Sequence, residues 1–121
     1  TLKVATWLAD QPQVYRVLYP ALPGDPGHAL WKRDFTGASS LFGLAIHSEI
    51  ETAVKAMVDS LQYFQIGSSW GGDESLIAFN HMPVTRDRAP WTEKPFMLRV
   101  HIGLEDVEDL IADLTQGLAR I

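Results

Sequence analysis

The chain has 121 residues, 46% hydrophobic and 21% charged, with no cysteine and ten bases against fifteen acids, a net charge of −5. That length makes one domain with room for a real core, and the missing cysteines exclude disulfides and thiolate metal sites and fit a reducing, cytoplasmic setting. The acidic balance argues against a nucleic-acid partner. No apolar run approaches the roughly 20 residues that cross a bilayer, and no signal-peptide pattern opens the chain, so no membrane partner is expected.

Leu2, Val4, Ala5 and Leu8 fall near helical spacing, which predicts a helix over residues 1–9 with Thr1 as its N-cap. Pro12 ends it, because proline disfavours helix at the residue before it. With no initiator Met, the chain is expected to begin inside a longer protein. Residues 14–19 read as a strand with Val14, Arg16 and Leu18 on one face and Tyr15, Val17 and Tyr19 on the other. Three prolines and two glycines make 20–27 a loop. A short helix over 28–33, a turn over 36–39 and an apolar strand over 40–46 follow. Ser48-Glu49-Ile50-Glu51 has the capping-box pattern. Val54, Met57, Val58 and Leu61 then make the buried stripe of a helix, Met57 as core filler.

Short strands are predicted at 63–66 and 75–79, on either side of a loop at 67–72. The stretch 81–95, with three prolines and mixed charges, is a long loop that is either functional or poorly ordered. A strand at 96–102 precedes a final helix whose stripe is Val107, Leu110, Ile111, Leu114 and Leu118. Glu105, Asp106 and Glu108 stand at the positive end of its dipole. Those acids, with Asp109 and Asp113, account for the whole net charge and are expected to form a solvated helix face. The element order predicts an α+β fold: a mixed or antiparallel sheet with helices gathered on one face.

Three stretches could carry chemistry. In the strand 96–102, Phe96, Leu98, Val100 and Ile102 alternate with Met97, Arg99 and His101. An arginine in mid-strand needs a partner. It is either a structural residue, in an internal ion pair or at a sheet edge, or it grips a carboxylate bidentately, as a guanidinium does well. His101 on the same face reads as structural. Ser68-Ser69-Trp70-Gly71-Gly72-Asp73-Glu74-Ser75 has the freedom of a glycine pair and small hydroxyls, a weak anion-loop signal that a plain tight connection also explains. It is neither a phosphate loop nor a nucleophile elbow. Residues 27–37 mix aromatics and charges, as solvated surfaces do. His28, His47, His81 and His101 are too scattered for a metal site.

Five segments occur in order: Leu18-Tyr19-Pro20-Ala21-Leu22-Pro23, Gly27-His28, Trp31-Lys32-Arg33-Asp34-Phe35-Thr36-Gly37, SSWGGDESLI from Ser68, and LRVHIGLEDVEDLIADL from Leu98. Over essentially its whole length the chain resembles the C-terminal domain of the cysteine/methionine-metabolism family of pyridoxal-phosphate enzymes. Cystathionine β-lyases, cystathionine γ-lyases, γ-synthases and methionine γ-lyases are among its members. The resemblance implies the α+β small domain of fold-type I enzymes. It implies that Arg99 binds the substrate's α-carboxylate, and that Ser69, beside Trp70, helps hold the same end.

The resemblance also implies that pyridoxal 5'-phosphate, with its Schiff-base lysine and phosphate loop, is bound by a preceding domain. Lys3, Lys32, Lys55 and Lys94 do not sit in the family's lysine context, so no catalytic or cofactor-binding residue is expected here and this piece alone is expected to be inactive. Ser69-Trp70-Gly71-Gly72 is similar to the bacterial β-lyase loop, whereas the γ-enzymes usually carry leucine at the Trp70 position. Asp73 stands where β-lyases often have an aromatic. The implied activity is a carbon–sulfur lyase that turns cystathionine into homocysteine, pyruvate and ammonia in methionine biosynthesis, within a homotetramer. The alternatives are a γ-lyase, γ-synthase or methionine γ-lyase of the family, or a free-standing amino-acid-binding module.

Overall fold

Apolar stripes at helical spacing place three helices over one sheet. A computed structural model of the chain describes residues 1–79 and 96–121. Its elements are α1 (Leu2–Ala9), β1 (Val14–Leu18), α2 (His28–Asp34), β2 (Leu41–Ile46), α3 (Glu51–Asp59), β3 (Gln65–Ile66), β4 (Leu76–Phe79), β5 (Phe96–His101) and α4 (Val107–Leu118). The loop expected over 81–95 lies outside the described residues.

The strands form one sheet in the order β1-β2-β5-β4-β3, antiparallel except for the parallel β3–β4 pair. This is the expected α+β fold with a mixed sheet. Strand β5 lies at its centre. Across β5, Leu98 stands opposite Leu44 and Phe79, and Val100 opposite Phe42 and Ile77. All six join the core, into which α1 sends Val4, Ala5 and Leu8, α3 Val54, Met57 and Val58, and α4 Leu110, Leu114 and Leu118. Each of the valine, leucine, isoleucine, phenylalanine and methionine side chains among them, fully withdrawn from water, contributes about 1.5–3 kcal/mol. Helix α2 buries no residue. Among the described residues no helix is long and apolar enough to cross a membrane.

Four local expectations are corrected. Thr1 caps α1 through its backbone alone, its carbonyl accepting from Ala5 N at 2.9 Å, with no side-chain bond. The capping box does not form. The Ser48 hydroxyl accepts from Ile50 N at 3.1 Å, and α3 starts after Ile50. A serine that closes a local turn cannot also cap a helix two residues on. In β1 the register shifts between Val14 and Arg16. This bulge turns Val14 to the core face, opposite to Arg16 and Leu18. The strand expected over 63–66 is reduced to Gln65–Ile66.

Candidate functional site

The non-core face of β5 carries Arg99 and His101, and the two-residue period continues past the strand end through Gly103 to Glu105. Arg99 stands opposite Gly43 in β2 and Ala78 in β4. Its lateral neighbours on the sheet are thus a hydrogen and a methyl group, which leaves the guanidinium room. Its Nη2 donates to the carbonyl oxygens of Gly67 at 3.4 Å and Ser69 at 3.2 Å. Among the described residues the ion pairs are Lys3–Glu108, Arg16–Asp25, Arg33–Asp34 and Lys55–Glu51, and none involves Arg99. Strand β5 is central, so the edge position read from the strand does not hold, and no internal ion pair of Arg99 is found among the described residues. Arg99 lies on the central strand, with its charge unmatched by any described carboxylate.

The next three alternating positions grip the 67–75 loop. His101 is 2% exposed. Its Nδ1 lies 2.9 Å from Ser40 Oγ, and its Nε2 lies 3.1 Å from the Gly72 carbonyl and 3.2 Å from Gly71 N. With the proton on Nε2 the ring donates to Gly72; with it on Nδ1 the ring accepts from Gly71. Either tautomer ties the ring to the loop. A Cβ at Gly103 would collide with the backbone of Asp73 and Glu74, so glycine is required there by close approach. Gly103 N donates to Ser75 Oγ at 2.9 Å, and Leu104 N to the Asp73 carbonyl at 2.8 Å. Glu105 accepts from Ser75 N at 2.7 Å and from Ser75 Oγ at 2.8 Å. Burial pushes the Glu105 carboxyl up. The Ser75 amide, its own backbone N–H, the Ser75 hydroxyl and the field of His101 outweigh this, and the net shift is below the usual carboxylate range. Gly71, at φ 85°, makes the turn that a side chain would resist.

The structure thus brings Arg99 and the Ser69 backbone together. Trp70 follows Ser69 but is 63% exposed. Of the loop amides, that of Ser75 is taken by Glu105, and that of Gly71 lies 3.2 Å from His101 Nε2. No group of described histidines and acids could hold a metal ion.

The solvated acidic face is corrected. Asp113 is 5% exposed and accepts from Gln62 N at 2.9 Å and Tyr63 N at 2.8 Å, which fixes the exit from α3. Glu105 belongs to the loop clamp. Only Asp106, Glu108 and Asp109 are exposed, Asp106 capping α4 through Glu108 N. Ser75, Gly103 and Glu105 are site residues that composition missed. The signal that could have found them is the two-residue alternation Arg99, His101, Gly103, Glu105 running past the strand.

The family model for Cys/Met metabolism PLP-dependent enzymes matches residues 1–119, and the chain belongs to that family. It is 50% identical to cystathionine beta-lyase of Salmonella typhimurium over 100% of this chain and 32% of that protein. It is 42% identical to the L-alanine/L-glutamate racemase of Wolbachia pipientis over 99% of this chain and 30% of that protein. Among solved structures, cystathionine gamma synthase of Xanthomonas oryzae in complex with cystathionine matches with a TM-score of 0.79 at 37% identity, over 97% of this chain and 31% of that one. The chain spans about a third of the length of the relatives it matches.

The family's cofactor requires an amine for its aldehyde and an ionised partner at the ring nitrogen. Lys3 and Lys55 are exposed and paired with Glu108 and Glu51, Lys32 is exposed on α2, and Lys94 lies outside the described residues. The described residues do not build a pyridoxal-phosphate site.

Proposed function

We propose that this chain is the C-terminal, substrate-carboxylate-binding domain of a pyridoxal-phosphate-dependent carbon–sulfur lyase, with the cofactor held by a domain that precedes it. The overall reaction is that of cystathionine β-lyase: cystathionine and water to homocysteine, pyruvate and ammonia. Arg99 carries this reading. It is a guanidinium on the open face of a central strand, between glycine and alanine, with no ion pair among the described residues and the Ser69 carbonyl at 3.2 Å. Such a fork accepts a planar carboxylate with two parallel hydrogen bonds. Held there, the α-carboxylate fixes the orientation of the amino acid's reacting carbon, the part of catalysis that positioning supplies. Ser69 and Trp70 border the same end of the substrate. A cytoplasmic homotetramer acting in methionine biosynthesis completes the reading.

A second reading within the family is a γ-synthase, γ-lyase or methionine γ-lyase, favoured by the Xanthomonas neighbour. The Wolbachia relative adds racemisation to the activities to be assayed. Steady-state assays of the longer polypeptide on cystathionine, homoserine esters, methionine and L-alanine separate these activities. Cystathionine is expected to be the preferred substrate, with pyruvate released. Arg99→Lys keeps the charge but loses the two-pronged geometry, so mainly a raised KM is expected. A normal kcat/KM in Arg99→Ala would remove Arg99 from the site.

A further inference from the structure

We propose that His101 is a positioning residue for the carboxylate site, holding the tip of the 67–75 loop so that the Ser69 end is already in place before substrate arrives. This rests on the reading of Arg99 given above. Residues 68–74 are all exposed, so no buried apolar anchor shapes the loop and its polar ties decide its course. One end is fixed where Gly67 N donates to the Ile77 carbonyl at 3.1 Å, and the other at Ser75 by Gly103 and Glu105. Between them only Arg99, His101 and Leu104 supply described bonds. Arg99 cannot be the sole tie near Ser69, because a guanidinium that turns to a carboxylate loosens its hold on the Gly67 and Ser69 carbonyls. Leu104 acts at Asp73, three residues beyond Trp70. His101 acts at Gly71 and Gly72, beside the turn that follows Trp70. It is buried, and its other nitrogen is braced on Ser40, the residue before β2. A loop held this way presents its backbone without an ordering step when substrate binds, and such preorganisation shows mainly in binding.

The test exchanges the two ends of the imidazole. His101→Asn places a polar atom near the Nδ1 position, towards Ser40, where it keeps at most the long 3.4 Å contact with Gly71 N and loses the Gly72 carbonyl. His101→Gln reaches the Nε2 position and with it the Gly72 carbonyl. In the longer holoenzyme, His101→Asn is expected to raise KM for L-cystathionine about tenfold with kcat within about twofold, the scale of one lost hydrogen bond in the bound state, and His101→Gln to recover most of it. The inhibition constant of propionate, a plain carboxylate probe, should rise in parallel with KM. Amide hydrogen exchange without substrate should quicken over residues 67–75 in the asparagine variant and not over β2.

Wild-type KM and exchange in His101→Asn would overturn the proposal, as would equal losses in both variants with faster exchange throughout, the mark of a merely structural histidine. If the asparagine variant does not fold, His101→Gln decides. Slow loop exchange with near-normal KM supports the proposal, and fast loop exchange with normal KM overturns it. Arg99→Ala is assayed alongside. If it leaves KM unchanged the carboxylate reading fails, while the exchange data still judge whether His101 holds the loop.

Discussion

Leu98 and Arg99 are consecutive residues of β5, and the two sides of the sheet they face are built on different physics. On one side Leu98 and Val100 are 1% and 0% exposed in a core to which three helices contribute. Burial there is non-directional, and any apolar set of the right volume and pattern would serve. On the other side Arg99 and His101 meet loop atoms at hydrogen-bond distance, and Gly103 meets loop backbone that leaves no room for a methyl group. Hydrogen bonds depend on direction and distance, so residue identity matters there atom by atom. The helix side holds the domain together; the loop side holds one geometry.

The largest expected effects separate the two sides directly. Leu98→Ala should reduce the free energy of unfolding by about 2–5 kcal/mol, as buried leucine truncations do. Arg99→Ala removes two bonds to loop carbonyls and should change stability by only about 1 kcal/mol. On the proposed carboxylate-binding role the ranking inverts in kcat/KM of the longer enzyme, with about 2–5 kcal/mol lost for Arg99→Ala as the substrate carboxylate loses its partner. Denaturant midpoints and steady-state kinetics on the same two proteins give both numbers. A destabilisation of Arg99→Ala equal to that of Leu98→Ala would erase the distinction between the faces.

The same division explains what could be read from the sequence. Apolar periodicity is local, and α1, α3, α4 and β5 emerge close to where the spacing of Leu8, Met57, Leu114 and Leu98 puts them. The bulge before Arg16 breaks that periodicity by one residue, and no local pattern announces it. The acidic run misled because charge counting is blind to partners. Glu105 answers Ser75, 30 residues away, and Asp113 answers Tyr63, 50 residues away. Strand alternation put Arg99 on the non-core face but left an ion pair and an edge position open. The family resemblance supplied the link to Ser69, and the sheet order and the loop contact supplied the geometry.

Within the acidic set, the comparison sharpens at Asp113 and Asp109. Asp113→Ala leaves two part-buried backbone amides, of Gln62 and Tyr63, without their acceptor, and should destabilise by about 2 kcal/mol. Asp109 is exposed in the first turn of α4, and Asp109→Ala should cost about 0.5 kcal/mol or less. Asp113→Asn, which keeps one carbonyl oxygen as acceptor, should fall between them. Thermal or urea unfolding of the three variants tests this. Equal midpoints would return Asp113 to the solvated face that composition suggested.

A pH-dependent effect is expected at Glu105, where the loop clamp meets the acidic run. Glu105→Gln retains an acceptor for Ser75 but loses the charge, and should destabilise by about 1 kcal/mol near neutral pH. Although burial pushes the carboxyl up, the Ser75 amide and hydroxyl, its own N–H and the field of His101 bring it below the ordinary range. A carboxyl lowered on folding stabilises the native state above its unfolded value, about 4.3. That stabilisation fades as pH falls through the lower, folded value, because protonation then costs the native state its charge-assisted bonds. The gap between wild type and Glu105→Gln should therefore be constant from pH 6 to 8 and close progressively below about pH 4.3. Urea unfolding of both proteins at several pH values measures it. A gap that persists unchanged in acid would mean that the ionised carboxylate is not what fastens Ser75, leaving Gly103 and its hydrogen bond to hold that end of the loop.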